Sequence, residues 1–127
     1  AIEVPAQFDS DSGPDLEFVA SSSGISAHEV VEIFLSRTYR VYMVGFLPGF
    51  AYMGDVDERI QVRRKDQPRL KVPKGSVGIA GPQTGVYPLE TPGGWQLIGR
   101  TNTQFFRPDD NCPSLLKPGD CVKFVTA

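Results

Sequence analysis

Apolar residues recur at helical spacing in only one region of this chain, its first third. Leu16, Val19 and Ala20 follow Gly13-Pro14 and stop at Gly24, which predicts a short helix over residues 14–22. Ser26 with Glu29 three residues on forms a capping box, and Val30, Ile33 and Phe34 then share one face. A second helix is predicted over residues 26–35, and its apolar stripe marks it as packing structure. From Tyr39 the period changes to that of a strand, with Tyr39, Val41 and Met43 on one side and Arg40, Tyr42 and Val44 on the other. This strand runs into Gly45-Phe46-Leu47-Pro48-Gly49-Phe50, a bent aromatic loop. Shorter strands punctuated by glycine and proline follow. A turn at Lys117-Pro118-Gly119-Asp120 and the strand Val122–Val125 close the pattern. Two early helices and many short strands predict a mainly β protein of the α+β kind, a β-barrel with two short helices. There is no internal repeat, low-complexity tract or second-domain linker.

Residues 75–101 hold seven of the chain's 13 glycines and its only tryptophan. Dense glycine in a globular chain marks backbone at positive φ or close approach by another group. Here it alternates with the apolar pairs Val77/Ile79, Val86/Tyr87 and Leu97/Ile98, the pattern of a tightly cornered barrel wall that carries a binding surface. Glycines 75, 78 and 81 fail the G-x-G-x-x-G spacing, and no glycine-Lys-Ser/Thr run is present, so the block is neither a Rossmann nor a Walker phosphate loop.

Composition bounds the rest. A chain of 127 residues fits one domain that buries a sufficient core without staples. Cys112 and Cys121 lack zinc-site or CxxC spacing and are expected to be buried free thiols of a protein in a reducing cytoplasm. No apolar run reaches the length of a membrane span, and no signal peptide opens the chain. The absent initiator Met and the immediate strand-like Ile2-Glu3-Val4-Pro5 are expected of a domain within a longer protein. The net charge is −2, but its distribution is uneven. Seven acidic residues and no Lys or Arg precede Arg37, whereas residues 59–74 carry seven of the 13 basic residues. That basic stretch suits a small anionic ligand or an acidic protein face. The acidic overall balance, with no recognition helix, argues against nucleic acid.

Three groups of residues are candidates for chemistry. Phe46, Phe50 and Tyr52 around Pro48-Gly49 form an apolar wall for a pocket or a partner, with two of the three rings expected to serve the core. Arg64 and Arg69 lie on a loop stiffened by Pro68, and their forked guanidiniums suit a carboxylate or a phosphate better than Lys65 or Lys71. A salt bridge to the acidic N-terminal third is the alternative use for them. The glycine block adds Gln83, Tyr87, Trp95 and Arg100 as ligand-binding candidates, and all of these are expected to converge on one concave face. Conventional catalytic residues are scarce. The sole histidine, His28, is expected at the surface of the second helix, while Asp55/Asp57 and Asp109/Asp110 fall in turn-like segments where carboxylates are solvated or capping. No metal site and no catalytic residue is assigned.

The stretches Tyr39–Tyr52, Pro68-Arg69, Val72–Val77, Gln83–Pro88, Thr91–Trp95, Gly99–Thr101 and Pro118–Asp120, taken together, resemble the allophanate hydrolase subunit 1 family. That family includes the B-type subunit of bacterial 5-oxoprolinase and the sporulation-kinase inhibitor KipI. The resemblance covers nearly the whole chain. It implies a cyclophilin-like barrel in which residues 1–127 are the family's C-terminal domain, a smaller N-terminal α/β domain lying outside them. It implies one component of an ATP-dependent 5-oxoprolinase that opens 5-oxo-L-proline to L-glutamate with subunits A and C, inactive alone and with ATP bound in the assembled complex. KipI implies an alternative, a regulatory module that docks on a sensor histidine kinase. The sequence departs from the family at Phe34 and Leu35, where a histidine followed by Ser or Thr is common, so no histidine role is assigned there.

Overall fold

The computed structural model describes residues 1–105 and 115–127. Nine strands, β1 (Ile2–Ala6), β2 (Tyr39–Val44), β3 (Ala51–Gly54), β4 (Arg69–Val72), β5 (Ser76–Ala80), β6 (Gln83–Val86), β7 (Thr91–Gly93), β8 (Gln96–Arg100) and β9 (Cys121–Thr126), accompany helices α1 (Leu16–Ser23) and α2 (Ala27–Leu35) among these residues. Seven strands form one sheet in the order β1-β9-β2-β3-β6-β5-β8, and β4 pairs with β7 in a small second sheet. Immediately after β1, Gln7 exchanges two backbone hydrogen bonds of 2.8 and 2.9 Å with Arg100 at the end of β8. The two edges of the large sheet therefore meet, and the barrel is nearly closed. Closure removes the unpaired edges that an open sheet exposes. The expected barrel with two short helices is the observed architecture.

The helices form where the periodicity places them. The Ser26 hydroxyl accepts from the Glu29 backbone N–H at 3.1 Å, and the Glu29 carboxylate accepts in return from the Ser26 N–H at 3.3 Å. These reciprocal bonds satisfy N–H groups that every helix start leaves without partners. Gly24 ends α1 in the left-handed conformation at φ 70°. Val19, Val30 and Phe34 are fully buried and join the barrel core with Tyr39, Val41, Met53, Ile79 and Phe124. Phe34 stacks on Tyr39 at 5.0 Å between ring centroids, and the Tyr39 hydroxyl donates to the Phe34 carbonyl at 2.6 Å.

Two expectations need correction. The alternation in β2 holds through Val41 and breaks at Met43, which is exposed, because a β-bulge falls between Val41 and Met43 where the strand pairs with β3. An extra residue in one strand turns the following side chain to the opposite face. Cys121, expected to be buried, is an exposed free thiol on the outward side of β9, whose Val122 and Phe124 point inward. Cys112, Asp109 and Asp110 lie outside the described residues.

Candidate functional site

Beside the main core lies a second, smaller apolar cluster of Phe50, Val72, Ala80, Tyr87, Trp95 and Leu97, with Leu47 and Tyr52 packed against it. Its outer surface is a cavity of about 300 Å³ lined by Phe46, Phe50, Tyr52, Arg64, Pro68, Tyr87, Pro92, Gly93, Gly94 and Trp95. That volume is at the lower end of the range for small-molecule sites. Phe50 is the hub. Its ring meets Tyr52 at 4.9 Å, Tyr87 at 5.3 Å, Trp95 at 5.4 Å and Phe46 at 5.7 Å, mostly edge to face. Edge-to-face contacts match the positive rim of one ring to the negative face of the next.

Local sequence explains how the wall is built. The loop after β2 folds tightly, with the Gly45 N–H donating to the Phe50 carbonyl at 3.1 Å and the Phe50 N–H donating to that of Leu47 at 3.0 Å. Phe46 pivots at φ 67°, a conformation that non-glycine residues enter at a cost, and its side chain remains 65% exposed at the pocket rim. Of the three loop rings, Phe50 is buried, Tyr52 is half-buried and Phe46 is open to solvent. On the opposite wall, a Cβ at Gly93 would lie 2.5 Å from the Tyr87 hydroxyl. Only glycine there leaves Tyr87 its place.

The polar edge comes from residues 61–68. The Lys65 N–H donates to the Gly94 carbonyl at 2.7 Å, and the Gln96 side-chain amide donates to the Arg63 carbonyl at 3.2 Å. These two bonds bracket Arg64 on one side and Trp95 on the other. Arg64 lines the aromatic cavity and has no ion-pair partner among the described residues. Burial pushes the Tyr87 hydroxyl above its ordinary pKa, an effect that a backbone hydrogen bond from Trp95 and the charges of Arg64 and Arg69 only partly offset. The hydroxyl stays protonated at neutral pH.

Arg69 is placed differently. It grips Asp15 through both guanidinium nitrogens at 2.7 and 2.8 Å, the geometry of a forked, charge-assisted pair. Asp15 is buried, and it also accepts from the Leu97 N–H at 2.7 Å. Burial raises the Asp15 pKa, but the Arg69 hydrogen bonds, the Leu97 N–H and the charges of Arg69 and Lys65 outweigh it and hold the carboxyl below its ordinary value. Sequence reasoning anticipated a salt bridge to the acidic third without singling out Asp15. Asp15 directly follows Gly13-Pro14, and nothing in that local sequence marks a partner 54 residues away.

Arg64, Tyr87 and Trp95 thus come together with Phe46, Phe50 and Tyr52, while Arg69, Gln83 and Arg100 lie outside the cavity. Arg100 is on the exterior of β8, its Nε donating to the Lys74 carbonyl at 3.1 Å, and it lines a separate polar cleft with Gln7, Asp11 and Ser12. Gln83 opens β6 and meets the Tyr42 hydroxyl. The expected convergence of every candidate fails for these three: Asp15 holds Arg69, and Gln83 and Arg100 sit at the first position of β6 and the last of β8, beyond the cavity. His28 is exposed and pairs with Glu32 at 2.9 Å, and Asp57 caps a short 3-10 turn and binds Arg59 and Arg37.

Among the described residues no cluster of His, Cys, Asp and Glu could hold a metal ion. No helix of the described residues is long and apolar enough to cross a membrane.

Fold and pocket define a small barrel domain with an aromatic cavity beside its main core, edged by one cationic side chain, Arg64. The chain belongs to the family described as carboxyltransferase domain, subdomain C and D, which matches residues 1–116. It is 53% identical over 124 residues to the B-type subunit of 5-oxoprolinase from Bacillus subtilis, covering 98% of this chain and 52% of that protein. The corresponding subunit from Escherichia coli O157:H7 is also 53% identical, with 98% and 57% covered. A crystal structure of a conserved uncharacterised protein, PH0987 from Pyrococcus horikoshii, superposes with a TM-score of 0.95 at 55% identity, over 99% of this chain and 58% of that one. The resemblance drawn from the motifs is borne out. The chain spans about half the length of the curated relatives it matches.

Proposed function

We propose that this domain is a non-autonomous component of a 5-oxoprolinase and corresponds to the C-terminal domain of the B-type subunit. The observation that carries this is 53% identity across nearly the whole chain to proteins of that name. The pocket supports it chemically. 5-Oxoproline is a flat five-membered lactam bearing a carboxylate. Its ring suits the Phe50, Tyr87 and Trp95 wall and its anion suits Arg64.

This chain's residues would bind and orient the lactam and exclude water from its ring face. Opening an unactivated lactam requires polarisation of its carbonyl, and a fixed guanidinium is one group that stabilises developing negative charge. No acid-base pair lines the aromatic cavity. In this reading turnover takes place in the assembly with partner subunits, A and C in the resemblance, with ATP bound there.

The assay is glutamate release from 5-oxoproline and ATP, by the 127-residue chain alone and with partner subunits from the same source. The expected result is no release alone and release on assembly. Robust release by the chain alone refutes non-autonomy, and failure of the full-length subunit that carries these residues to support the partners refutes membership in the complex. One observation favours a second reading, docking on a sensor histidine kinase: Phe46 stands 65% exposed at the rim, an aromatic of the kind that anchors protein interfaces. Co-purification from the native host, with identification of partners, separates the two.

A further inference from the structure

Asp15 occupies the N-cap position of α1, yet its side chain makes no capping hydrogen bond to the helix. A residue type that ordinarily stabilises a helix start is here committed elsewhere. Its carboxylate is directed to the loop that carries Arg64. It binds Arg69 at the far end of that loop through two bonds, lies 3.7 Å from the Lys65 ammonium, and accepts from the Leu97 N–H at 2.7 Å. The Asp15 backbone N–H donates to the Leu97 carbonyl at 2.9 Å, so residue 15 is fastened to β8 from both its main chain and its side chain. This close approach depends on Gly13, where any Cβ would overlap the Ile98 backbone.

We infer that Asp15 is a positioning residue for the pocket, fixing the loop of residues 63–69 against β8 so that Arg64 stands beside Trp95 at the cavity edge. The geometry leads there step by step. Asp15 holds Lys65, the residue directly after Arg64, and Arg69 at the end of the loop. The Lys65 N–H holds Gly94, the neighbour of Trp95, and the Gln96 amide holds Arg63. Arg64, by contrast, is exposed and makes no ion pair among the described residues, so its place is set by what holds its neighbours. A guanidinium held in place loses less freedom when it meets an anion. The ionisable groups around Asp15 are Arg69 and Lys65 in contact, with Arg63, Arg64 and Asp66 lining the adjoining cleft. The ligand side of this inference rests on the proposed reading of the pocket, whereas the placement of Arg64 does not.

The test uses the indole N–H resonance of Trp95, the chain's only tryptophan, in a nitrogen–proton correlation spectrum. Spectra are compared for the parent, Arg64→Gln, Asp15→Asn, Arg69→Lys and the double variant Asp15→Asn/Arg64→Gln. Positioning requires Asp15→Asn and Arg69→Lys to move the resonance toward its Arg64→Gln position, and Asp15→Asn to add nothing once Arg64 is gone. Titration with 5-oxoproline should then be about ten-fold weaker for Asp15→Asn and Arg64→Gln alike, with binding of neutral 2-pyrrolidinone unchanged. A resonance shift from Asp15→Asn that persists in full in the Arg64→Gln background overturns the inference, as does a parent-like resonance in both Asp15→Asn and Arg69→Lys. If Asp15→Asn does not fold, Arg69→Lys, which keeps the charge and loses the fork, carries the same comparison with Arg64→Gln. Failure of the parent to bind 5-oxoproline removes the ligand reading above, and the resonances alone then decide whether Asp15 places Arg64.

Discussion

Phe50 and Phe46 are four positions apart on one loop, and their rings touch, yet they do different things. Phe50 is 2% exposed and contacts four other aromatic rings, so truncating it leaves a cavity that the surrounding wall cannot close. Phe50→Ala should cost roughly 3–5 kcal/mol, read as a lowered denaturation midpoint. Phe46→Ala removes a mostly solvated ring and should change stability by no more than about 0.5 kcal/mol, while weakening binding at the pocket rim. Equal destabilisation by the two would mean that Phe46 is packed rather than poised. The sequence showed three rings around Pro48-Gly49 but not which ring the core would take. That assignment follows from the sharp turn at residues 45–50, whose φ values no pattern of residue types specifies.

Among the elements, α2 is the one most fully written in local sequence. Its capping box, apolar stripe and end all coincide with the prediction to within a residue. Ser26→Ala removes one half of the reciprocal cap and should cost about 1 kcal/mol, a fall of roughly 3–5 °C in Tm. An unchanged Tm would mean that burial of Val30 and Phe34 alone holds the helix. The strands were less legible. Strand β2 was visible as an alternation, but its bulge was not, because a bulge is a property of two strands in register. The loop of residues 64–69 was legible as basic and stiff. That Arg64 and Arg69 go separate ways, one to the pocket edge and one to Asp15, depends on a partner 54 residues away.

For the molecule as a whole, acid should weaken the fold. Asp15 and Asp57 are held below the ordinary carboxylate value, the second chiefly by the Arg59 side chain and N–H, and Asp9 and Asp120 are lowered as well. A carboxyl whose pKa is lower in the folded state binds protons more readily when unfolded. Its contribution is present above the unfolded value, about pH 4, and is lost as pH falls through the folded values. Denaturant midpoints should be flat from about pH 7 to pH 5 and fall below about pH 4, with part of that fall missing in Asp15→Asn. A midpoint that rises on acidification would contradict these ion pairs.

Sequence alone determined the fold class, both helices, the position of β9 after its turn, the family, and the residue types of the pocket wall. Each of these is written in short-range periodicity, turn chemistry or a contiguous motif. Tertiary structure decided how the barrel closes, through Gln7 and Arg100 at the two edges of the large sheet. It also decided which candidates meet, leaving Arg69, Gln83 and Arg100 outside the cavity and seating Asp15 behind it. Those outcomes depend on register and on contacts between residues far apart in the chain, and hydrophobic periodicity says which face of a strand is buried without saying which distant strand lies against it.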